Sequence, residues 1–92
     1  MKARERSVLA IRVHPRDNVA VVAADVPAGS AVRLDDGTEL RAVEAIARGN
    51  KVALSPIASG EAVIRYGEEI GTAMKDIAVG EHVHTHNLRR GE

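Results

Sequence analysis

The chain has 92 residues, enough for one small domain, and its 13 basic and 13 acidic residues leave a formal net charge of zero. That balance argues against nucleic acid as the main partner, since phosphate binding needs an excess of Lys and Arg on one face. Cysteine is absent, which excludes disulfides, thiolate metal sites and a cysteine nucleophile. Phe and Trp are also missing, so the core must come from Val, Ala, Ile and Leu, side chains that suit close-packed strands.

Residues 1–6 are polar and are expected to fray. No apolar h-region follows them, and no apolar run approaches the ~20 residues of a membrane-spanning helix. The expectation is a soluble, cytoplasmic protein without a membrane partner. Residues 7–13 are rich in Val, Leu and Ile and read as a strand. His14-Pro15-Arg16-Asp17-Asn18 breaks it, because Pro15 cannot donate to a ladder and Asp and Asn form turns. Residues 19–24 are continuously apolar, the pattern of a strand buried on both faces.

A signature then recurs four times: an apolar residue, Gly three positions on, and Val three further. The copies are Val26/Gly29/Val32, Ile46/Gly49/Val52, Ile57/Gly60/Val63 and Ile77/Gly80/Val83. Each reads as an apolar plug, a turn with glycine at positive φ, and entry to a strand. The glycines are 20, 11 and 20 residues apart, so residues 26–56 slide onto 57–87 without a gap. This register implies an internal duplication of pseudo-two-fold character. Between the first two copies, Asp35-Asp36-Gly37 marks a hairpin. A three-residue loop pairs Val32 with Leu40, Arg33 with Glu39 and Leu34 with Thr38, and leaves Gly37 at the left-handed position such loops favour. Residues 40–48 and 71–79 are taken as mostly extended, with short turns. The predicted fold is all-β, a single domain over residues 1–92 built of short, bent strands.

Chemistry concentrates near the end, in His82-Val83-His84-Thr85-His86-Asn87. As a strand, this stretch sets three imidazoles on one face, neighbours about 6.6–6.8 Å apart at Cα. His84 and His86 could then chelate one metal ion, whereas His82 and His86 lie too far apart to share one; the plain alternative is a solvated polar face. His14, beside the proline turn, is a candidate general base or metal ligand, or simply a surface turn residue. Lys51 could hold a carboxylate, and Tyr66 and Asn87 offer a hydroxyl and an amide for polyol recognition.

His14-Pro15-Arg16-Asp17-Asn18-Val19-Ala20, Ala47-Arg48-Gly49-Asn50-Lys51-Val52-Ala53-Leu54, Ile64-Arg65-Tyr66-Gly67, Ile70-Gly71-Thr72-Ala73 and the histidine stretch occur in this order. Together they resemble the small SAF-type domain of the altronate/galactarate dehydratase family, a group that includes the sulfolactate sulfo-lyase small subunit. The resemblance implies a β-clip fold and a small subunit of a hydro-lyase acting on acyclic sugar acids such as altronate or galactarate. It implies a separate large dehydratase subunit and a divalent metal, commonly Fe2+ with Mn2+ or Mg2+ as alternatives, bound fully only with that subunit. It points to His14, His84 and His86 as catalytic, to His84 and His86 as metal ligands, and to Lys51, Tyr66 and Asn87 as substrate-binding. The isolated chain is expected to be inactive, and self-association to a homo-oligomer is plausible through free strand edges. Asn50 stands where the family pattern usually has histidine, and it cannot act as a base near neutral pH. Two other readings are a sulfolactate sulfo-lyase small subunit and a non-catalytic sugar-acid binding module.

Overall fold

A computed structural model describes residues 7–90; the start expected to fray, residues 1–6, lies outside them. The first apolar run forms β1 (Ser7–Ile11), and the second forms β2 (Val19–Val22), antiparallel to it with Ala10 opposite Val22. β3 (Ala31–Leu34) runs parallel to β1 on its other side, and β4 (Glu39–Arg41) returns along β3. β5 (Lys51–Ala53) pairs with β2, and β8 (His82–Val83) with β5, completing a sheet in the order β4-β3-β1-β2-β5-β8. β6 (Ala62–Arg65), β7 (Glu68–Ala73) and β9 (Leu88–Arg90) form a second sheet, β6-β7-β9. The described residues contain no helix, and the all-β expectation stands.

The hairpin after β3 has the three-residue register. Val32 faces Leu40, Arg33 faces Glu39, and the Leu34 N–H donates to the Thr38 carbonyl at 2.8 Å. Gly37 is left-handed, with φ +92°. The four signature glycines, Gly29, Gly49, Gly60 and Gly80, have φ of +84°, +85°, +87° and +88°. The plugs ahead of them join in pairs: Val26 bridges Ile46, and Ile57 bridges Ile77, each through two backbone hydrogen bonds of 2.8–2.9 Å. All four plug side chains are buried.

Two aliphatic cores result. One gathers Val22, Val26, Val32, Ala42, Ile46 and Val52 with Ala10, Ala20 and Leu34. The other gathers Ala53, Ile57, Val63, Ala73, Ile77 and Val83 with Val19 and Leu88. The first six of each set stand at a constant offset of 31 residues (22→53, 26→57, 32→63, 42→73, 46→77, 52→83). Hydrogen bonds follow the same offset. Gly29 donates to Ala42 and Gly60 to Ala73; Gly49 donates to Val22 and Gly80 to Ala53.

One expectation is corrected. The histidine stretch is a strand only at His82 and Val83. From His84 the chain turns, because Asn87 folds its amide back onto the turn's own backbone, accepting from the His84 N–H at 2.9 Å and donating to the His82 carbonyl at 2.8 Å. This local bonding competes with a ladder and wins.

Gly80 tests the architecture. A Cβ there would run into the Arg41 carbonyl, besides occupying a left-handed backbone, whereas a Cβ on Gly29 meets nothing nearby. Gly29→Ala is expected to cost only the left-handed strain, about 1–2 kcal/mol. Gly80→Ala adds displacement of β4 and should cost clearly more. Urea unfolding of the two variants checks this, and equal midpoints would refute the close approach.

Candidate functional site

Two turns carry the histidines, and they are built alike. In the turn after β1, the His14 N–H donates to Asp17 Oδ2 at 3.1 Å, and the Asp17 N–H donates to the His14 carbonyl at 2.9 Å. In the turn after β8, the His84 N–H donates to Asn87 Oδ1 at 2.9 Å, and the Asn87 N–H donates to the His84 carbonyl at 3.0 Å. Each is a His-x-x-Asp or His-x-x-Asn loop whose buried side-chain oxygen stands in for a backbone acceptor. Both leave a histidine ring exposed at the loop surface.

Asp17 does a second task. Its Oδ1 accepts the Gly67 N–H at 2.7 Å, fastening the His14 turn to the β6–β7 hairpin. Burial alone would raise the Asp17 pKa, but backbone donors from Gly67, His14 and Tyr66, with the His14 ring nearby, hold it below 3.8 on balance. Asn18 adds to the seam, donating to the Ala62 carbonyl at 2.9 Å and accepting from the Ile64 N–H at 2.8 Å. Arg65 lies opposite Glu68, so Tyr66-Gly67 is a two-residue loop, and its φ values of +58° and +76° make it a type I′ turn. Tyrosine is an uncommon choice at that first position. Arg65 braces it, with Cζ 4.4 Å from the ring centroid and a 2.7 Å hydrogen bond to the phenol oxygen. The His14 ring lies against Gly67, where a Cβ would sit 2.9 Å from ring carbons. His14 Nδ1 accepts the Arg16 N–H at 3.1 Å, so the neutral ring carries its proton on Nε2.

At the other turn the three imidazoles gather. His82 stacks on His84 with centroids 5.3 Å apart, and lies 5.5 Å from His86. The expectation that His82 and His86 are the distant pair is therefore corrected: the turn folds the end of the stretch back toward its start. His82 is half-buried, its backbone N–H donates to Glu44 Oε2 at 3.1 Å, and its Nε2 is buried without a partner. Burial, then the neighbouring His84 and His86, lower its pKa from 6.5; Glu44 opposes them. A divalent ion asks for three or more protein donors or a compensating partner. Among the described residues no group of three or more His, Cys, Asp or Glu side chains is arranged to hold one. Among the described residues these donors do not make a complete metal site.

Lys51 lies between the two turns on β5, with Val21 and Val83 as its register partners, and is 6% exposed. Burial lowers its pKa, followed by the positive charges of Arg65 and Arg90. Asn87 is wholly buried, and its amide positions the histidine turn. Tyr66 is exposed. Asn50 is tied into its own turn, donating to the Ala47 carbonyl at 3.2 Å. Of the residues singled out from sequence, His14 and Tyr66 thus share one corner, His84, His86 and Asn87 share another, and Lys51 stands between. Sequence reading missed Asp17 and Arg65, which fasten the His14 turn and the Tyr66 ring. The shared His-x-x-Asp and His-x-x-Asn spacing was the available sign for Asp17.

The described residues form an all-β clip of short strands whose polar turns carry the histidines. Residues 8–91 match the model of the altronate/galactarate dehydratase SAF domain. The chain belongs to this family. It is 51% identical over 80 residues to altronate dehydratase of Escherichia coli (strain K12), covering 86% of the chain but 16% of that relative. It is 42% identical over 73 residues to galactarate dehydratase (L-threo-forming) of the same organism, covering 79% of the chain and 14% of the relative. Against the (2R)-sulfolactate sulfo-lyase subunit alpha of Chromohalobacter salexigens it is 34% identical over 84 residues, covering 84% of the chain and 89% of that subunit. The chain therefore spans about a sixth of the dehydratases and most of a lyase subunit. No helix among the described residues is long and apolar enough to cross a membrane.

Asp17 gives the site's sharpest test. Asp17→Ala leaves the Gly67 and His14 N–H groups without their acceptor and should cost about 2 kcal/mol. Because the folded pKa is lowered, the carboxylate's contribution is complete above 3.8 and is lost as pH falls below it. Asp17→Asn should therefore lose less stability than the wild type as pH falls from about 4 to about 2. Urea midpoints across that range check both effects; parallel curves for wild type and Asp17→Asn would remove the carboxylate from the account.

Proposed function

We propose that this chain is the small SAF-type subunit of a hydro-lyase that dehydrates an acyclic sugar acid such as altronate or galactarate, working with a large catalytic subunit. The observation that carries the reading is the 51% identity to altronate dehydratase along 86% of the chain. The 89% coverage of a sulfo-lyase subunit supports a small-subunit role, since a domain of this kind serves there as a subunit.

The reaction removes a proton from the carbon next to a carboxylate and a hydroxyl from the following carbon, and the enol product then becomes a keto acid. The barrier lies in negative charge gathering on the carboxylate, so fixed donors and positive charge lower it. In this reading His14 presents its Nε2–H to a substrate oxygen and acts as a hydrogen-bond donor rather than a base. Tyr66, held by Arg65, offers its phenol to a hydroxyl, and Lys51 supplies positive charge. The exposed His84 and His86 face the large subunit. A divalent ion, ferrous iron first and Mn2+ or Mg2+ next, belongs to the assembled enzyme, with His84 and His86 as partial ligands and the remaining donors from the large subunit. The base that takes the α-proton is then also the large subunit's. A cytoplasmic, sugar-acid-metabolising setting goes with this chemistry.

The coverage of the sulfo-lyase subunit favours a second reading, in which the leaving group is sulfite from sulfolactate. Both are decided by one experiment. The chain is co-expressed with a large dehydratase chain from the same organism, and the complex is assayed with altronate, galactarate and sulfolactate in the presence of ferrous ion. We expect turnover by the complex, none by the chain alone, and loss of at least ~100-fold in a His84→Ala/His86→Ala variant. Turnover on sulfolactate alone would choose the second reading. Undiminished activity in the variant would take the histidine turn out of the mechanism.

A further inference from the structure

β1 is an interior strand, paired with β3 on one side and β2 on the other. Val8 and Ala10 turn one of its faces to the first core. Leu9 and Ile11 stand on the opposite face, with Val13 two residues further on, and these three are 41%, 38% and 59% exposed. A sheet face open to water alternates apolar with polar residues, yet β1 is apolar on both sides. Val21, the register partner of Ile11, adds a half-buried side chain to the bare face. Further across the sheet the same face is covered. Val19 lies two residues from Val21 on β2, so both point the same way. Val19 pairs with Ala53, and both sit in the second core with Val63 of β6 and Ala73 of β7. The stripe is thus the uncovered continuation of a packed face, and exposed apolar patches of this kind mark interaction sites. Beside Leu9 its register partner Arg33, with Leu34, Asp35 and Gly37, closes a hollow of about 220 Å3. At its other end the stripe runs into His14, whose turn Asp17 fastens to Gly67 next to the exposed Tyr66.

We propose that Leu9, Ile11, Val13 and Val21 form the docking face for the large catalytic chain, which meets them with an aliphatic surface and sets one side chain into the hollow beside Leu9. Docking there brings the adjoining His14 and Tyr66 into the shared active site. The proposal rests on the lyase reading and names the surface through which its two chains join. The occupant follows from a comparison of lengths. The chain aligns along 86% of itself with 16% of altronate dehydratase, so about five-sixths of such an enzyme lies outside this domain and needs a surface on it. A second copy would cover the stripe with only the groups this chain already has, whereas the reaction still lacks its α-proton base.

The test measures binding of the whole chain to the large dehydratase chain of the same organism by titration calorimetry. Burial of one Val or Ile side chain corresponds to roughly 10- to 100-fold in affinity. Ile11→Glu and Val13→Glu are each expected to weaken association at least ~10-fold. Val43→Glu, at an exposed aliphatic position beside Gly80, should bind as the wild type does. Methyl NMR of the unsubstituted chain gives a readout that no folding defect can blur: the Leu9, Ile11 and Val13 methyls should shift when the large chain is added. Wild-type affinity in both stripe variants, equal weakening by Val43→Glu, or unmoved stripe methyls in a formed complex overturns the proposal. A dimer of the chain that Ile11→Glu dissociates in sedimentation, and that the large chain binds without disturbing, overturns it too by giving the stripe to a second copy. Turnover separates docking from catalysis. With Ile11→Glu it should fall at low chain concentration and recover when the chain is in excess, whereas excess His84→Ala/His86→Ala chain should not restore it. Association through the stripe without turnover on altronate, galactarate or sulfolactate would sink the lyase reading and leave the docking face standing. Turnover with wild-type affinity in both stripe variants would do the reverse.

Discussion

Everything in this fold depends on the paired aliphatic plugs, Val26 against Ile46 and Ile57 against Ile77. With no Phe or Trp, no single side chain is large enough to organise a core. Four β-branched residues do it instead, each locked by backbone hydrogen bonds to its mate and followed by a glycine that reverses the chain. Burying one such side chain is worth roughly 1.5–3 kcal/mol, so each of the four is a sizeable share of the few kcal/mol that hold a domain of this size together. The strands are short because these turns return so often, and a short strand delivers its end residues to turns. That is where the histidines, Tyr66 and Asp17 stand.

The site follows the same logic of local satisfaction. Asp17 and Asn87 each fix a histidine by closing a small loop on themselves, so the imidazoles are presented without needing a helix or a deep cavity behind them. Asp17 also reaches across to Gly67 and thereby joins segments fifty residues apart. Its buried carboxylate makes the His14 corner one unit with the Tyr66-Gly67 hairpin tip. The histidine cluster, by contrast, has its buried His82 Nε2 unmatched and a single acid, Glu44, acting through the backbone. One corner of the domain thus has its buried carboxylate fully bonded, and the other keeps a buried imidazole nitrogen without a partner.

Much of this was legible in the sequence because glycine and β-branched residues act locally. The apolar-x-x-Gly-x-x-Val signature announced the plugs and the left-handed turns, and Asp35-Asp36-Gly37 announced its own hairpin register, since each outcome depends on residues within a few positions. The histidine strand was misread for the converse reason. Alternation of His, Val, His, Thr and His is a sound period-two pattern, but Asn87 offered the backbone a nearer partner than a neighbouring strand did. The tie from Asp17 to Gly67 was invisible because it joins residues fifty positions apart. The membership of the family was carried by the ordered set of motifs, each loose alone.

The two cores share walls. On β2, Ala20 faces the first core and Val19 the second; on β5, Val52 faces the first and Ala53 the second. The ladder keeps the allegiance, pairing Ala20 with Val52 and Val19 with Ala53. Adjacent residues of one strand point to opposite sides, so β2 and β5 are a partition rather than a lining. Neither half can melt without stripping the other of a wall. A chain with two small centres thus unfolds as one, and the polar turns at its rim inherit the rigidity of both.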